Sequence, residues 1–363
     1  MTRKGHDVIN LGIGQPDFPI AQHILDAAER AVRDGPYGYS SAQGESALRE
    51  AVSERYCNEN YPVSPDNVVV LPGAKTGLLF ATLSFGDAES QVLYPDPGFP
   101  IYSSVARFSG ADPIAYPLDE NSGFGLRAGD ILSRITKKTR LLILNSPGNP
   151  TGGVTTNAEL DLLVRGLLDY PDVFILSDEI YRQIHYGQDK PRSLLHYPEI
   201  RERLILIDGC SKTYAMTGWR LGFSVWPTSL INLVNRLCIN SHSCVNNVAQ
   251  AAGKAALTGP QDSVDSMITT FTRRKTILVE ALNEIPGISA LSPGGAFYVF
   301  PNITKIGKTS LELQTELLDF AHVATIAGTS FGSAGEGFLR LSFATDQSRL
   351  EEACERISIY LNR

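Results

Sequence analysis

Residues 208–223 read DGCSKTYAMTGWRLGF and follow an apolar run, 204–207, with the character of a buried strand. The segment sets Lys212 in a short polar turn and Arg220 shortly after it. An amine becomes a useful nucleophile when it is desolvated or when a neighbouring cation lowers its pKa. A lysine at the mouth of a strand beside an arginine therefore suits a Schiff base. Taken alone, the same lysine also fits a solvated surface charge. What decides between the two is whether other elements build a site around it.

Six apolar runs have strand character: 67–71, 91–94, 140–144, 173–177, 203–207 and 223–226. Near-continuous apolar strands alternating with helical segments indicate a mostly parallel sheet covered on both faces. Ligands on such sheets bind beyond the carboxyl ends of the strands. Here those ends are followed by PGAKTG, PDPGFP, NSPGNPTGG, DEIY and DGCSK, which bring Lys75, Phe99, Asn149, Asp178, Tyr181 and Lys212 to one side. A buried carboxylate such as Asp178 can keep a pyridine nitrogen protonated, which makes the ring an electron sink. The Gly-rich approach at Gly73, Ala74, Lys75 and Thr76 suits a phosphate at a helix N-terminus, with Arg220 as a charged fork. Asn149 and Tyr181 can hydrogen-bond a phenolic ring oxygen, and Phe99 can stack on a ring face. Lys212 would carry an aldehyde as an imine and then act as general base. Each part of a pyridoxal 5'-phosphate site has a candidate.

The elements that position these residues are legible around them. Apolar spacing predicts helices over 20–34 and 45–59, flanking the loop GPYGYSSAQGE, and a helix over 78–85 after PGAKTG. A composition shift near Gly259-Pro260 precedes a long helix, 263–283, then a strand–helix–strand–strand pattern from 292 to 344 and a closing helix, 348–361. The fold class is α/β, a large unit with a mostly parallel sheet plus a smaller α/β lobe. The expected division is 39–262 for the cofactor-binding unit, with 1–38 and 263–363 forming the small domain.

LNSPGNPTGG, SDEIY, SKTYAMTGWRLG and LRLSFA, in this order over nearly the whole chain, resemble the class I/II aminotransferases of fold type I, the aspartate aminotransferase-like pyridoxal-phosphate enzymes. The resemblance implies Lys212 as Schiff-base lysine, Asp178 on the pyridine nitrogen, and Asn149 with Tyr181 on the ring oxygen. It places Ala74, Lys75 and Arg220 at the phosphate and Phe99 on the ring. Tyr39 matches a tyrosine that reaches the neighbouring subunit's phosphate, which implies a homodimer with shared active sites. Arg340 matches the arginine that grips the substrate α-carboxylate, and Gly14 a loop glycine whose backbone touches substrate. The implied reaction moves an amino group between an L-α-amino acid and a 2-oxo acid by a ping-pong route. Lys75 matches a position that in some members contacts a distal carboxylate, which admits aspartate or glutamate as donor. Two departures stand out. Gly209 occupies a position where many members carry a phosphate-binding serine, leaving Ser211 as a differently placed hydroxyl. The chain also begins close to the GQPDF loop, where members usually have a longer N-terminal arm.

The bulk numbers agree with a soluble enzyme. Of 363 residues, 43% are hydrophobic and 20% charged, and 32 basic against 39 acidic residues give a net charge of −7. That charge argues against nucleic acid or an anionic membrane as partner. No run approaches a membrane span and the N-terminus lacks a signal-type apolar core. Cys57, Cys210, Cys238, Cys244 and Cys354 are scattered without a CxxC pair, as expected of free thiols in the cytoplasm. His6, His23, His185, His196, His242 and His322 show no metal-ligand spacing.

Rival motifs fail on context. GTSFG, 328–332, matches a nucleophile elbow, but no histidine follows it in the chain. PGAKTG lacks the glycines of a P-loop, and GIG at 12–14 lacks the following helix of a dinucleotide site. The alternatives that survive are a pyridoxal-phosphate lyase or cyclase on the same fold, and a catalytically silent binding module. Tyr37, Phe18 and Phe297 are candidates for a substrate pocket or for core.

Overall fold

The computed structural model describes residues 5–362. Its strands are β1 (Ile9–Asn10), β2 (Val68–Leu71), β3 (Gln91–Asp96), β4 (Asp112–Pro117), β5 (Thr139–Asn145), β6 (Phe174–Asp178), β7 (Leu204–Gly209), β8 (Gly222–Val225), β9 (Tyr298–Val299), β10 (Val323–Ala324), β11 (Ile326–Ala327) and β12 (Leu339–Ser342). The helices are α1 (Gln22–Asp34), α2 (Ser46–Asn58), α3 (Ala74–Phe85), α4 (Ile101–Ser109), α5 (Ala128–Leu132), α6 (Asn157–Leu167), α7 (Cys210–Thr213), α8 (Ile231–Ser241), α9 (Asn247–Thr258), α10 (Asp262–Asn283), α11 (Ser310–Glu316) and α12 (Gln347–Leu361).

Seven strands form the central sheet in the order β2-β8-β7-β6-β5-β3-β4. The run from β4 through β7 is parallel, and β8 alone runs against its neighbours β7 and β2. Side-chain alternation divides the apolar residues between two faces. Val68, Val70, Leu142, Ile175 and Leu206 pack toward α2, α6 and α9, whereas Val69, Leu71, Ile143, Leu176 and Ile207 pack toward α3, α4 and α8. Burial on both faces is what made the strands legible as apolar runs. β4 escaped that reading because DPIAYP carries two prolines and an aspartate. It lies at the sheet edge, where a missing N–H costs no ladder bond. α3 starts at Ala74, earlier than the expected 78, so PGAKTG is itself the helix entry. Gly73 precedes it with φ 92°, a conformation that favours glycine.

The smaller lobe holds the antiparallel sheet β11-β12-β9, with β1 paired in parallel to β10. Its core gathers Ile9, Leu11, Phe271, Phe297, Leu341 and Ile357. α10, 22 residues long, and α12 pack together beneath it. The N-terminal stretch is shared between the two cores. Ile9 and Leu11 join the smaller one, while Ile24 and Ala28 of α1 pack with the large sheet. No helix among the described residues is long and apolar enough to cross a membrane.

Candidate active site

The carboxyl ends of β5, β6 and β7, the N-terminus of α3 and the segments carrying Gly14 and Arg340 surround one cavity of about 560 Å³. Gly14, Ala74, Lys75, Phe99, Asn149, Asp178, Tyr181, Lys212, Arg220 and Arg340 all line it. Tyr39 does not. It is 91% exposed and lines a separate surface cleft with Tyr37, Asn246 and Val248. Nor do the three aromatic candidates reach the cavity wall: Phe297 is fully buried, Tyr37 is exposed, and Phe18 packs edge-on against Phe271.

Lys212 sits on α7, the single helical turn that follows β7. Its Nζ donates to the Gly14 carbonyl at 2.7 Å and lies 5.8 Å from the Phe297 ring and 5.9 Å from that of Tyr181. Burial lowers its pKa to about 8. Arg340 and Arg220 press in the same direction, and only Asp178 among the larger influences opposes them. The amine therefore keeps a larger neutral fraction at physiological pH than an ordinary lysine, although the ammonium still predominates below about pH 8.

Asp178 ends β6, paired across the sheet with Asn145 at the end of β5. Its Oδ2 accepts from Tyr102 Oη at 2.9 Å, its Oδ1 from the Ile180 amide at 3.3 Å, and Asn145 Nδ2 donates to its carbonyl at 2.9 Å. Burial pushes its carboxyl up to about 6, helped by the nearby charge of Asp208, while the Tyr102 hydroxyl and the Ile180 amide hold it down.

Arg340 enters from β12. Its Nη1 donates to Asn149 Oδ1 at 2.9 Å and its Nη2 to the Gly12 carbonyl at 2.5 Å. The guanidinium carbon lies 4.5 Å from the Tyr298 ring centre and 4.8 Å from that of Phe331. Contact with aromatic faces fixes the plane of the fork. Its buried Nε has no hydrogen-bond partner among the described residues. Tyr298 also shares a hydrogen bond of 2.9 Å with Tyr181 Oη. A Cβ at position 14 would stand 2.3 Å from the Tyr298 hydroxyl, so glycine there lets the loop approach.

At the opposite end, Arg220 lies over the entry to α3. A Cβ on Gly73 would meet its Nη2 at 2.2 Å, and a Cβ on Gly222 would meet the Ala74 amide nitrogen at 2.3 Å. Arg220 itself is left-handed, φ 53°, with Nη1 donating to the Thr217 carbonyl at 2.8 Å. Lys75 Nζ stands 5.2 Å from the Phe99 ring centre. Gly209 has a packing reason: it faces Gly222 across β7 and β8, where a Cβ would come 2.8 Å from the Gly222 Cα. A serine cannot enter there without backbone movement, and the nearby hydroxyl that does line the cavity is Ser211. Cys210 is buried with its thiol pushed up to about 12, in keeping with a packing role.

Sequence reading missed Tyr102, Tyr298 and Asn145. Asn145 could have been found from its place at a strand end. Tyr102 sits one turn from Phe99 and Tyr298 inside GGAFYVF, and neither carries a local signal of its contacts.

The class I and II aminotransferase family model matches residues 6–357. The chain belongs to the class I and II aminotransferases. It is 39% identical over 360 residues to an aspartate aminotransferase of Pyrococcus horikoshii, covering 98% of this chain and 90% of that one. A crystal structure of the aspartate aminotransferase from Rhizobium meliloti superposes with a TM-score of 0.96 at 34% identity, covering 100% and 93%. A crystal structure of an aromatic aminotransferase from Pyrococcus horikoshii gives a TM-score of 0.95 at 35% identity, covering 99% and 97%. The enzyme is a pyridoxal-phosphate-dependent transaminase.

The residues present fit that cofactor. Lys75, Lys212, Arg220 and Arg340 line the cavity with Asp178 as its one carboxylate. Such an excess of cations around one buried acid matches a dianionic phosphate plus a substrate carboxylate, with a ring nitrogen left for Asp178. No metal-type cluster of His, Cys, Asp or Glu occurs among the described residues.

Proposed function

We propose that this transaminase takes an acidic amino acid, aspartate or glutamate, as amino donor to a 2-oxo acid, with Lys212 as the covalent anchor and proton carrier. The observation that carries the assignment is the placement of Lys212 and the buried Asp178 in one cavity with three further cations. Lys212 Nζ, whose pKa is lowered to about 8, would hold the cofactor's aldehyde carbon. Arg340 binds the α-carboxylate through its fork, pre-oriented by Asn149, Tyr298 and Phe331. Asp178, held by Tyr102 and the Ile180 amide, keeps the ring nitrogen protonated. Pyridoxal phosphate supplies an electron sink for the charge left on Cα. Lys212 Nζ would take the proton from the substrate Cα and hold it for return during the transfer, and the 2-oxo acid would use the same residues in the opposite direction. Ala74, Lys75 and Arg220 hold the phosphate at the α3 N-terminus. Phe99 covers a ring face, Asn149 and Tyr181 serve the ring oxygen, and Gly14 brings its backbone to the substrate.

The same reading includes a homodimer with shared sites in the cytoplasm. Support comes from Val32, Tyr37 and Tyr39, at 61%, 77% and 91% exposure, which are clustered apolar and aromatic side chains on one face. Arg220 also borders a cleft with Trp219 and Val248 on this side, so a partner residue entering there reaches the phosphate end. The division into 39–262 and a small domain of 1–38 with 263–363 belongs to this reading too, with α1 of the first segment packed on the large unit. Residues 1–4 and 363 lie outside the described part of the chain.

A panel of half-reactions tests the donor. The bound cofactor's absorbance is followed after mixing with single amino acids and no oxo acid. Aspartate and glutamate should convert it at least about tenfold more efficiently than alanine or phenylalanine. A phenylalanine rate above both acidic ones overturns the acidic donor and assigns Lys75 to the phosphate alone.

A further inference from the structure

The GTSFG stretch at 328–332 bears no nucleophile, since Ser330 is exposed and no histidine follows it. Its loop does something else. Gly328 and Gly335 approach so closely that a Cβ on either would stand about 2 Å from the other's carbonyl oxygen, 1.9 and 2.0 Å. The turn thus closed reaches across to the carboxyl end of β3. There Asp96, 5% exposed, accepts from Ser333 Oγ at 3.1 Å through Oδ2 and from the Ala334 amide at 3.2 Å through Oδ1. The Gly98 amide donates to the Phe331 carbonyl at 2.7 Å. Gly332 has φ 126°, and a Cβ there would lie 2.0 Å from Asp96 Oδ1. Phe331 then presents its ring to the Arg340 guanidinium at 4.8 Å.

We propose that Asp96 is a positioning residue for recognition of the substrate carboxylate. Its carboxylate ties the 331–334 turn of the smaller lobe to the large sheet, and so holds Phe331 against the Arg340 fork. Charge-assisted hydrogen bonds to a hydroxyl and an amide suit that task. Phe99 follows Gly98 directly, so one short segment supports both the ring-stacking aromatic and the turn beside Arg340. The inference rests on the reading of Arg340 as the carboxylate ligand. Because the amino acid and the oxo acid share the α-carboxylate, loss of Asp96 must weaken both substrates alike, whatever their side chains.

The test uses the holoenzyme and Asp96→Ala, Asp96→Asn and Gly332→Ala. Asp96→Ala is expected to raise KM for donor and acceptor by the same factor, about tenfold, with kcat within about threefold of the parent. The Kd of maleate, a non-reacting dicarboxylate followed by cofactor absorbance, should rise by a similar factor. Cofactor affinity should not change. Gly332→Ala should reproduce the effect. Asp96→Asn, which keeps an acceptor for the Ala334 amide, should restore most of the affinity. A maleate Kd and both KM values within about twofold of the parent overturn the proposal, as does a rise for one substrate only. Should Asp96→Ala fail to fold, Gly332→Ala and Asp96→Asn carry the same criteria. Arg340→Ala separates the two readings: maleate binding unaffected there contradicts the role of Arg340, whereas a loss there with Asp96→Ala unchanged contradicts the role of Asp96 alone.

Discussion

Asp178 and Glu179 are adjacent acids, both buried, and they face opposite fates. Glu179 is surrounded by protein partners. Its Oε1 accepts from Ser177 Oγ, Ser193 Oγ and the Leu194 amide at 2.9 to 3.0 Å, and its Oε2 pairs with Arg182 Nε at 3.1 Å. Arg182 is in turn held by Glu59 at 2.7 Å. Asp178 has one hydroxyl and one amide, and otherwise faces a cavity with four cations. A buried acid whose oxygens are taken up by protein donors and a neighbouring cation holds structure together; a buried acid facing a cavity of cations points to a ligand. The contrast explains why the site can be assigned a cofactor while the buried Glu59–Arg182–Glu179 chain cannot.

Exchanging the two acids for their amides should break this contrast most visibly. Asp178→Asn should lower kcat by about 10²–10³-fold or more while the protein stays folded. The cofactor-free variant should melt no lower than the parent. Between pH 3.8 and about 6 the native Asp178 binds a proton that the unfolded chain does not, so at neutral pH its buried ionised form opposes folding and the amide removes that cost. Glu179→Gln should cost stability instead, because although burial raises that carboxyl too, the change removes a charge partner of the buried Arg182. Leaving Arg182 short of a partner should cost about 3–5 kcal/mol of stability, with turnover per folded molecule largely kept. Thermal melts and kcat on the same preparations decide it. Equal loss of activity in both would erase the distinction.

A smaller effect sharpens it. The cofactor-free enzyme should take up pyridoxal phosphate faster as pH rises toward about 8, because only neutral Lys212 attacks the aldehyde. Arg340→Ala should move that profile to higher pH, since a cation that disfavours the ammonium is removed. Arg182→Gln, in the Glu59–Arg182–Glu179 chain, should leave it in place. Stopped-flow absorbance across pH 6 to 10 reads both.

Much of this was legible in the sequence, for physical reasons that can be traced to residues. Strands buried on both faces announce themselves as apolar runs, and α/β sheets place ligands at their ends, so Asp178, Asn149 and Lys212 followed from local pattern. β4 was hidden because an edge strand tolerates Pro113 and Pro117. Tyr102, Tyr298 and Phe331 were hidden because their importance lies in which rings meet Arg340 and which hydroxyl meets Asp178, and that is settled only by packing. Gly209 looked like a lost phosphate ligand, yet its close approach to Gly222 is a demand of the β7–β8 contact that no single segment reveals.

The central claim is that Lys212 anchors the cofactor in the cation-rich cavity. Borohydride reduction of the enzyme loaded with pyridoxal phosphate, followed by peptide mapping, tests it most directly. The account predicts a single pyridoxyl adduct on Lys212, lost in Lys212→Ala together with turnover. An adduct on another lysine, or transamination surviving in Lys212→Ala, would contradict it.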